Sequence, residues 1–206
     1  MYIGIDLGTS GVKALLIAED QSLVATANAS LEVSRPAPGW SEQAPADWIS
    51  ATTQALKGLA ASNDLSGVKG IGLSGQMHGA TLLDASDAVL RPCILWNDTR
   101  SHLEAAKLDA DPRFRAKTGN IVFPGFTAPK LVWARNNEPD TFKKVAKVLL
   151  PKDYLRLWLT GEYVSDMSDA SGTAWLDPSK RNWSEALLAA TDLGLDHMPR
   201  LVEGSA

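Results

Sequence analysis

The sequence predicts an α/β domain in which an antiparallel strand meander comes first and helices pack on it. Three observations carry this. An apolar run, Tyr2 to Ile5, reaches Asp6, turns through Leu7-Gly8-Thr9-Ser10-Gly11 and returns as Val12 to Ile17, the pattern of a β-hairpin. After the polar turn Glu19-Asp20-Gln21-Ser22, Leu23 to Ala29 supplies a third strand. From Pro45, Trp48, Thr52, Ala55, Leu56, Leu59 and Ala60 recur at helical spacing, which sets one apolar stripe against a sheet.

The remaining elements follow in order. Arg35-Pro36-Ala37-Pro38-Gly39 is an irregular connection, because two prolines forbid helix. Pro45 then suits the first position of the helix, with Trp40 before it as a packed indole and Glu42 as a capping acid. Val68 to Ser74 reads as a strand carrying Gly70 and Gly72, and it runs into Gly75-Gln76-Met77-His78-Gly79 before a second apolar run, Ala80 to Leu83. Arg91 to Leu95 is a short buried strand that leaves through Trp96-Asn97-Asp98-Thr99-Arg100 into a helix, with Asp98 or Thr99 as its N-cap. A loop over 117–126, rich enough in glycine, proline and aromatics to wall a cleft, precedes a helix opened by Thr127-Ala128-Pro129, on which Lys130 is expected as a solvated face charge. Val145 to Leu150 is a buried strand, and Pro151 to Gly161 is a helix with proline at its start and glycine at its stop. Acids and hydroxyls gather over Met167 to Thr173, a short amphipathic helix covers Ser184 to Ala190, and 193–206 reads as loop.

Composition narrows the function. With 206 residues, 45% hydrophobic and 21% charged, the chain can bury a sizeable core. Its net charge of −4 comes from interspersed acids and bases, so no basic footprint for nucleic acid or an anionic membrane is present, and small molecules are the expected partners. The single Cys93 cannot form an intramolecular disulfide and suits a reducing compartment. The N-terminus enters a strand at once, without a signal-peptide pattern, and no run approaches a membrane span, so a cytoplasmic location is expected. The seven tryptophans are spread along the chain rather than interleaved with basic residues, which suits core packing and cleft walls.

Two loops carry the chemistry. The first turn places a carboxylate, two hydroxyls and two glycines within a few residues. Gly8 lets the backbone approach a ligand, Thr9 and Ser10 can donate to anionic oxygens, Lys13 stands just past the turn, and Asp6 can hold Mg²⁺ directly or through water. No Walker-type phosphate loop occurs anywhere in the chain, so a strand-turn-strand would have to do the cradling. The alternative is a plain glycine hairpin. The second loop sets the amide of Gln76, the thioether of Met77 and the imidazole of His78 side by side at a sheet end.

Asp6-x-Gly8-Thr9-Ser10 after an N-terminal strand resembles the first phosphate motif of the superfamily of sugar kinases, Hsp70 chaperones and actin. Ser74-Gly75-Gln76-Met77-His78-Gly79, Trp96-x-Asp98-x-Arg100, the stretch from Gly125 to Trp133 and Ser168-Asp169-Ala170-Ser171-Gly172-Thr173 together resemble the FGGY carbohydrate kinases, in their xylulokinase branch. Ala134 stands where that family usually has a bulkier apolar residue. The resemblance implies a ribonuclease H-like fold with a mixed five-stranded sheet, and ATP with Mg²⁺ as cofactors. It implies Met77, His78, Gln76 and Asp98 as sugar contacts, Gly8, Thr9, Ser10 and Lys13 at the phosphates, and Asp6 as the metal-holding catalytic residue. It also allows a homodimer in a full-length protein.

The implied reaction is transfer of phosphate from ATP to the terminal hydroxyl of D-xylulose. That chemistry needs held phosphates, an aimed hydroxyl and a base. The family's base is an aspartate in a Gly-Gly-Asp-Asn sequence opening a second, nucleotide-binding domain, and no Gly-Asp-Asn occurs in this chain. The expectation is therefore that 1–206 is the N-terminal sugar-binding domain, inactive alone. Ribulokinase, gluconokinase and glycerol kinase are the alternatives within the family. A non-catalytic sugar-binding module is the alternative outside it.

Overall fold

The computed structural model describes residues 1–205. The meander forms as β1 (Tyr2–Leu7), β2 (Gly11–Ile17) and β3 (Leu23–Ser30), with β1 antiparallel to β2 and β2 to β3. Alternation does the sorting, since Ile3, Ile5 and Leu7 on β1 and Val12, Ala14 and Leu16 on β2 are all buried on one face. Gly11 is required by the hairpin's packing, because a Cβ there would lie 2.7 Å from the Ala29 carbonyl.

The chain then makes β4 (Glu42–Gln43) and α1 (Pro45–Ala60), which lays Trp48, Ala51, Thr52, Ala55 and Leu59 on the buried sheet face. Next comes β5 (Ile71–Gly75), parallel to β1. The main sheet has the order β3-β2-β1-β5, four strands instead of the expected five. The following run cannot extend it. At Gln76–Gly79 the chain bends away, and β6 (Thr81–Leu83) pairs in a separate two-stranded sheet.

The second half is built around that smaller sheet. β7 (Cys93–Ile94) pairs with β4, and is followed by α2 (His102–Ala110), α3 (Pro112–Thr118), α4 (Thr127–Asn137) and α5 (Pro139–Phe142). Then β8 (Lys147–Leu149), the partner of β6, leads into α6 (Pro151–Thr160), which ends at Gly161 with φ +74°. The chain continues through β9 (Val164–Asp166), α7 (Met167–Ala170), a 3-10 turn over Ser171–Thr173, β10 (Leu176–Asp177), β11 (Asn182–Trp183), α8 (Glu185–Ala189) and β12 (Arg200–Val202). β12 lies parallel to β9, so the segment read as loop contains a strand. Neither Asp98 nor Thr99 caps α2, which starts later, after Ser101. Of the loop expected over 117–126, the first two residues belong to α3, which Gly119 stops with φ +69°.

Two apolar cores result. One holds the inner face of the meander against α1 and Leu155 of α6. The other joins β6 and β8 to α4, with Phe114, Phe126 and Trp175 at its centre. The strand β7 touches both, with Cys93 and Leu95 in the first core and Ile94 in the second. The bend between β5 and β6 crosses from one core to the other, and the residues expected at the site lie there.

Candidate active site

At the hairpin end, Asp6 is in register with Lys13 on β2 and Ser74 on β5. All three are exposed: Asp6 and Lys13 alternate with the buried residues of their strands, and Ser74 with the half-buried Leu73 and Gly75. None has a side-chain hydrogen bond or ion pair among the described residues, so a polar row stands open across three strands. In the turn itself the Gly8 N–H is used on the Gly11 carbonyl at 3.0 Å, whereas the N–H groups of Thr9 and Ser10 have no partner among the described residues. Two free amides beside an open carboxylate and a lysine are what anionic oxygens with an accompanying cation require.

The turn is fastened to the Gln76 bend. Thr9 Oγ1 donates to Gln76 Oε1 at 3.2 Å and accepts from Trp96 Nε1 at 3.0 Å. The Gln76 N–H reaches the Leu7 carbonyl at 2.7 Å, continuing the β1–β5 ladder by one rung. Gln43 completes the joint, donating to the Thr9 and Glu32 carbonyls and accepting from Trp48 Nε1 and Gln76 Nε2. This amide is satisfied on every side. Gln76 is thus a buried tie between the loops, not the open sugar contact expected of it, and the Thr9 hydroxyl is engaged in the same tie.

Met77 and His78 emerge from the bend. Met77 is 45% exposed. His78 adopts φ +64°, a conformation side chains other than glycine seldom take, and its ring lies 4.9 Å from that of Phe126 and edge-on to Phe123. Its Nδ1 is buried, facing Gly172, which leaves Nε2 as the outward atom. Burial, joined by the charge of Lys130, holds the imidazole down to about 4 against a Gly172 backbone contact, so the ring is neutral near neutral pH. It can exchange hydrogen bonds with a hydroxyl without carrying charge.

Lys130 is not the solvated charge expected. It is 1% exposed, and its Nζ donates to the carbonyls of His78 at 2.8 Å and Gly125 at 2.7 Å. The first turns of α4 are enclosed, with Ala128, Leu131, Val132, Trp133 and Ala134 all in the second core, so Thr127 to Ala134 are all buried.

Asp98 is likewise corrected. It is 1% exposed, and its carboxylate accepts from the Ser41 N–H and from Arg100 at N–H, Nε and Nη2. No lone pair remains for a sugar. Arg100 also pairs with Glu42 at 2.7 Å, Arg91 bridges Glu42 and Glu138, and the Arg100 guanidinium lies 3.6 Å over the Trp40 ring. Glu42, expected as a cap, is therefore the hub of a buried ionic network, with Trp40 packed against it as expected. The Trp-x-Asp-x-Arg sequence builds the scaffold behind the site.

Two exposed aromatic rings border the turn and the bend. Trp96 is 43% and Phe123 40% exposed, and Gly125 sits between them with no room for a side chain: a Cβ would meet the Phe123 ring at 2.6 Å and the Trp96 carbonyl at 2.8 Å. Farther along, Asp153, Asp166 and Asp169 bring carboxylate oxygens within 4.8 Å of one another. The Lys152 ammonium already occupies that cluster, at 2.5, 2.9 and 3.5 Å from the three acids.

Comparison with known proteins places the chain in a family. The model of the FGGY family of carbohydrate kinases, N-terminal domain, matches residues 1–206. The chain is 58% identical to the xylulose kinase of Escherichia coli K12 over its full length and 40% identical to that of Bacillus subtilis. It spans 43% and 41% of those proteins, less than half of each. Among solved structures, a xyloylose kinase from Brucella ovis superposes with TM-score 0.98 at 69% identity, covering 99% of this chain and 43% of that one. A xylulose kinase from Rhodospirillum rubrum does so with 0.93 at 32% identity, covering 98% and 42%. With a family model matched from end to end, the chain belongs to the FGGY family of carbohydrate kinases, as its N-terminal domain.

Proposed function

We propose that this chain supplies the sugar-binding half of an ATP-dependent kinase that phosphorylates the terminal hydroxyl of D-xylulose. The observation that carries the reading is the joint between the two loops, in which Thr9 Oγ1 bonds Gln76 Oε1 and the Gln76 N–H bonds the Leu7 carbonyl. It makes the hairpin turn and the Met77–His78 bend one rigid unit, so a phosphate held at one faces a sugar held at the other.

In this reading His78 Nε2 and the Met77 thioether meet the ketose, with the exposed faces of Trp96 and Phe123 against its C–H surface. The unpartnered amides of Thr9 and Ser10, with Lys13, receive the terminal phosphate oxygens of ATP, and Asp6 holds Mg²⁺ directly or through water. The open carboxylate and free amides fit such a group. When bound, Mg²⁺–ATP supplies the phosphoryl group and neutralises its developing charge. The base that takes the sugar proton would come from the length of polypeptide by which the relatives exceed this chain, so residues 1–206 alone would bind sugar weakly and turn over no ATP. A cytoplasmic location suits the reading; among the described residues no helix is long and apolar enough to cross a membrane.

The sugar itself needs testing, since a glycerol kinase from Plasmodium falciparum superposes with TM-score 0.89 at 23% identity and the fold is therefore common to several substrates. The test is a panel of ketoses, polyols and sugar acids with the complete gene product. A preference for D-xylulose supports the proposal, and a strong preference for glycerol or gluconate removes it.

A further inference from the structure

From these contacts we infer that Lys130 is a positioning residue, whose buried ammonium holds the His78 bend and the Phe123–Gly125 loop at the separation a bound sugar needs. The inference rests on the sugar-site reading above and assigns a device within it. Its Nζ is within hydrogen-bond distance of the His78 and Gly125 carbonyls, and so ties the histidine bend to the loop whose Phe123 ring stands edge-on to the imidazole. Thr127 Oγ1, one turn earlier on α4, donates to the same His78 carbonyl at 3.1 Å. That carbonyl belongs to a residue in the left-handed region, so its orientation depends on these two donors.

Nothing else accounts for the charge. Among the described residues no carboxylate lies within ion-pair distance of Lys130, and burial takes its ammonium down to about 7, with Cys93 and Asp98 opposing the shift and Arg100 adding to it. A methionine of similar length would fill the same space. An ammonium has what methionine lacks, protons for two carbonyls at once. Through Gly125, where a Cβ would meet the Trp96 carbonyl and the Phe123 ring, the same clamp reaches the aromatic rim.

The test is a double-mutant cycle in the complete kinase, reading KM for D-xylulose and for ATP. K130M is expected to raise KM for the ketose by about tenfold, the equivalent of one lost polar contact, with KM for ATP within about twofold. In an H78A background the same change should add little, because the residue acts through His78. Should K130M fail to fold, Thr127→Val, which leaves the lysine in place, replaces it in the cycle, with an expected rise of about threefold. Full additivity of either substitution with H78A, or an unchanged ketose KM, overturns the positioning role. If instead H78A itself leaves ketose KM unchanged, the sugar-site reading fails. In that case the role of Lys130 is read from the Cε1–H resonance of His78 in sugar-free protein: a shift in K130M, or in T127V if K130M does not fold, sustains the clamp, and an unmoved resonance ends it.

Discussion

Gly172 lies against the imidazole of His78, so closely that a Cβ built at 172 would stand 2.3 Å from Cε1 and 2.4 Å from Nδ1. The segment of acids and hydroxyls around it, chemically ambiguous as sequence, acts as the wall on which the histidine leans. Gly172 is not in a left-handed conformation, so the requirement for glycine is one of space.

Gly172→Ala should therefore push the ring outward. The expected result in the complete kinase is a rise in ketose KM of about tenfold and a stability loss of about 1–3 kcal/mol from overpacking. Steady-state kinetics and urea unfolding measure both. Shortening the histidine in the same protein, as H78A/G172A, should recover the stability.

The Asp6 side chain has no hydrogen bond or ion pair among the described residues, so its replacement tests chemistry without disturbing the fold. D6N is expected to lower kcat by about a hundredfold or more while ketose KM and Tm hold, since the role proposed for the lost group is on phosphate and metal alone. Unchanged turnover would remove Asp6 from the phosphate site.

Asp98 behaves oppositely. Because it is the buried acceptor for Arg100 and Ser41, D98A should cost about 3–5 kcal/mol in urea unfolding by stranding the guanidinium. The milder D98N, assayed below its melting temperature, should keep ketose KM within about threefold. A large KM effect without destabilisation would restore the substrate role.

Two buried groups give stability opposite pH slopes in separate windows. Lys130, lowered from 10.5 to about 7, leaves the unfolded chain binding more protons between those values, so its contribution makes stability rise with pH there. Asp169 is raised from 3.8 to about 7 by burial, which with the Asp153 and Asp166 charges outweighs Lys152; the native state then binds more protons between those values and stability falls as pH rises. Unfolding titrations should show K130M flattening the alkaline limb. D169N should flatten the acid limb and be the more stable protein above about pH 7, by on the order of 1–2 kcal/mol.

Local pattern alone determined the meander, the helix beginning at Pro45, the helix from Pro151 to its glycine stop, and the two loops that carry the chemistry. Each of these depends on residues close in sequence, where alternation, helical spacing and turn glycines act directly. Tertiary structure decided the roles. Gln76 and Asp98 look like ligands in sequence and are buried ties, while Lys130 looks solvated and is a clamp, because burial and partners arise from segments tens of residues apart. Gln43 had no distinguishing mark, and Phe123 and Gly172 no assigned contact, until the fold brought them to Thr9 and His78. The residue types at a site can be read along the chain, but which of them keeps a free hydrogen-bonding atom is set by packing.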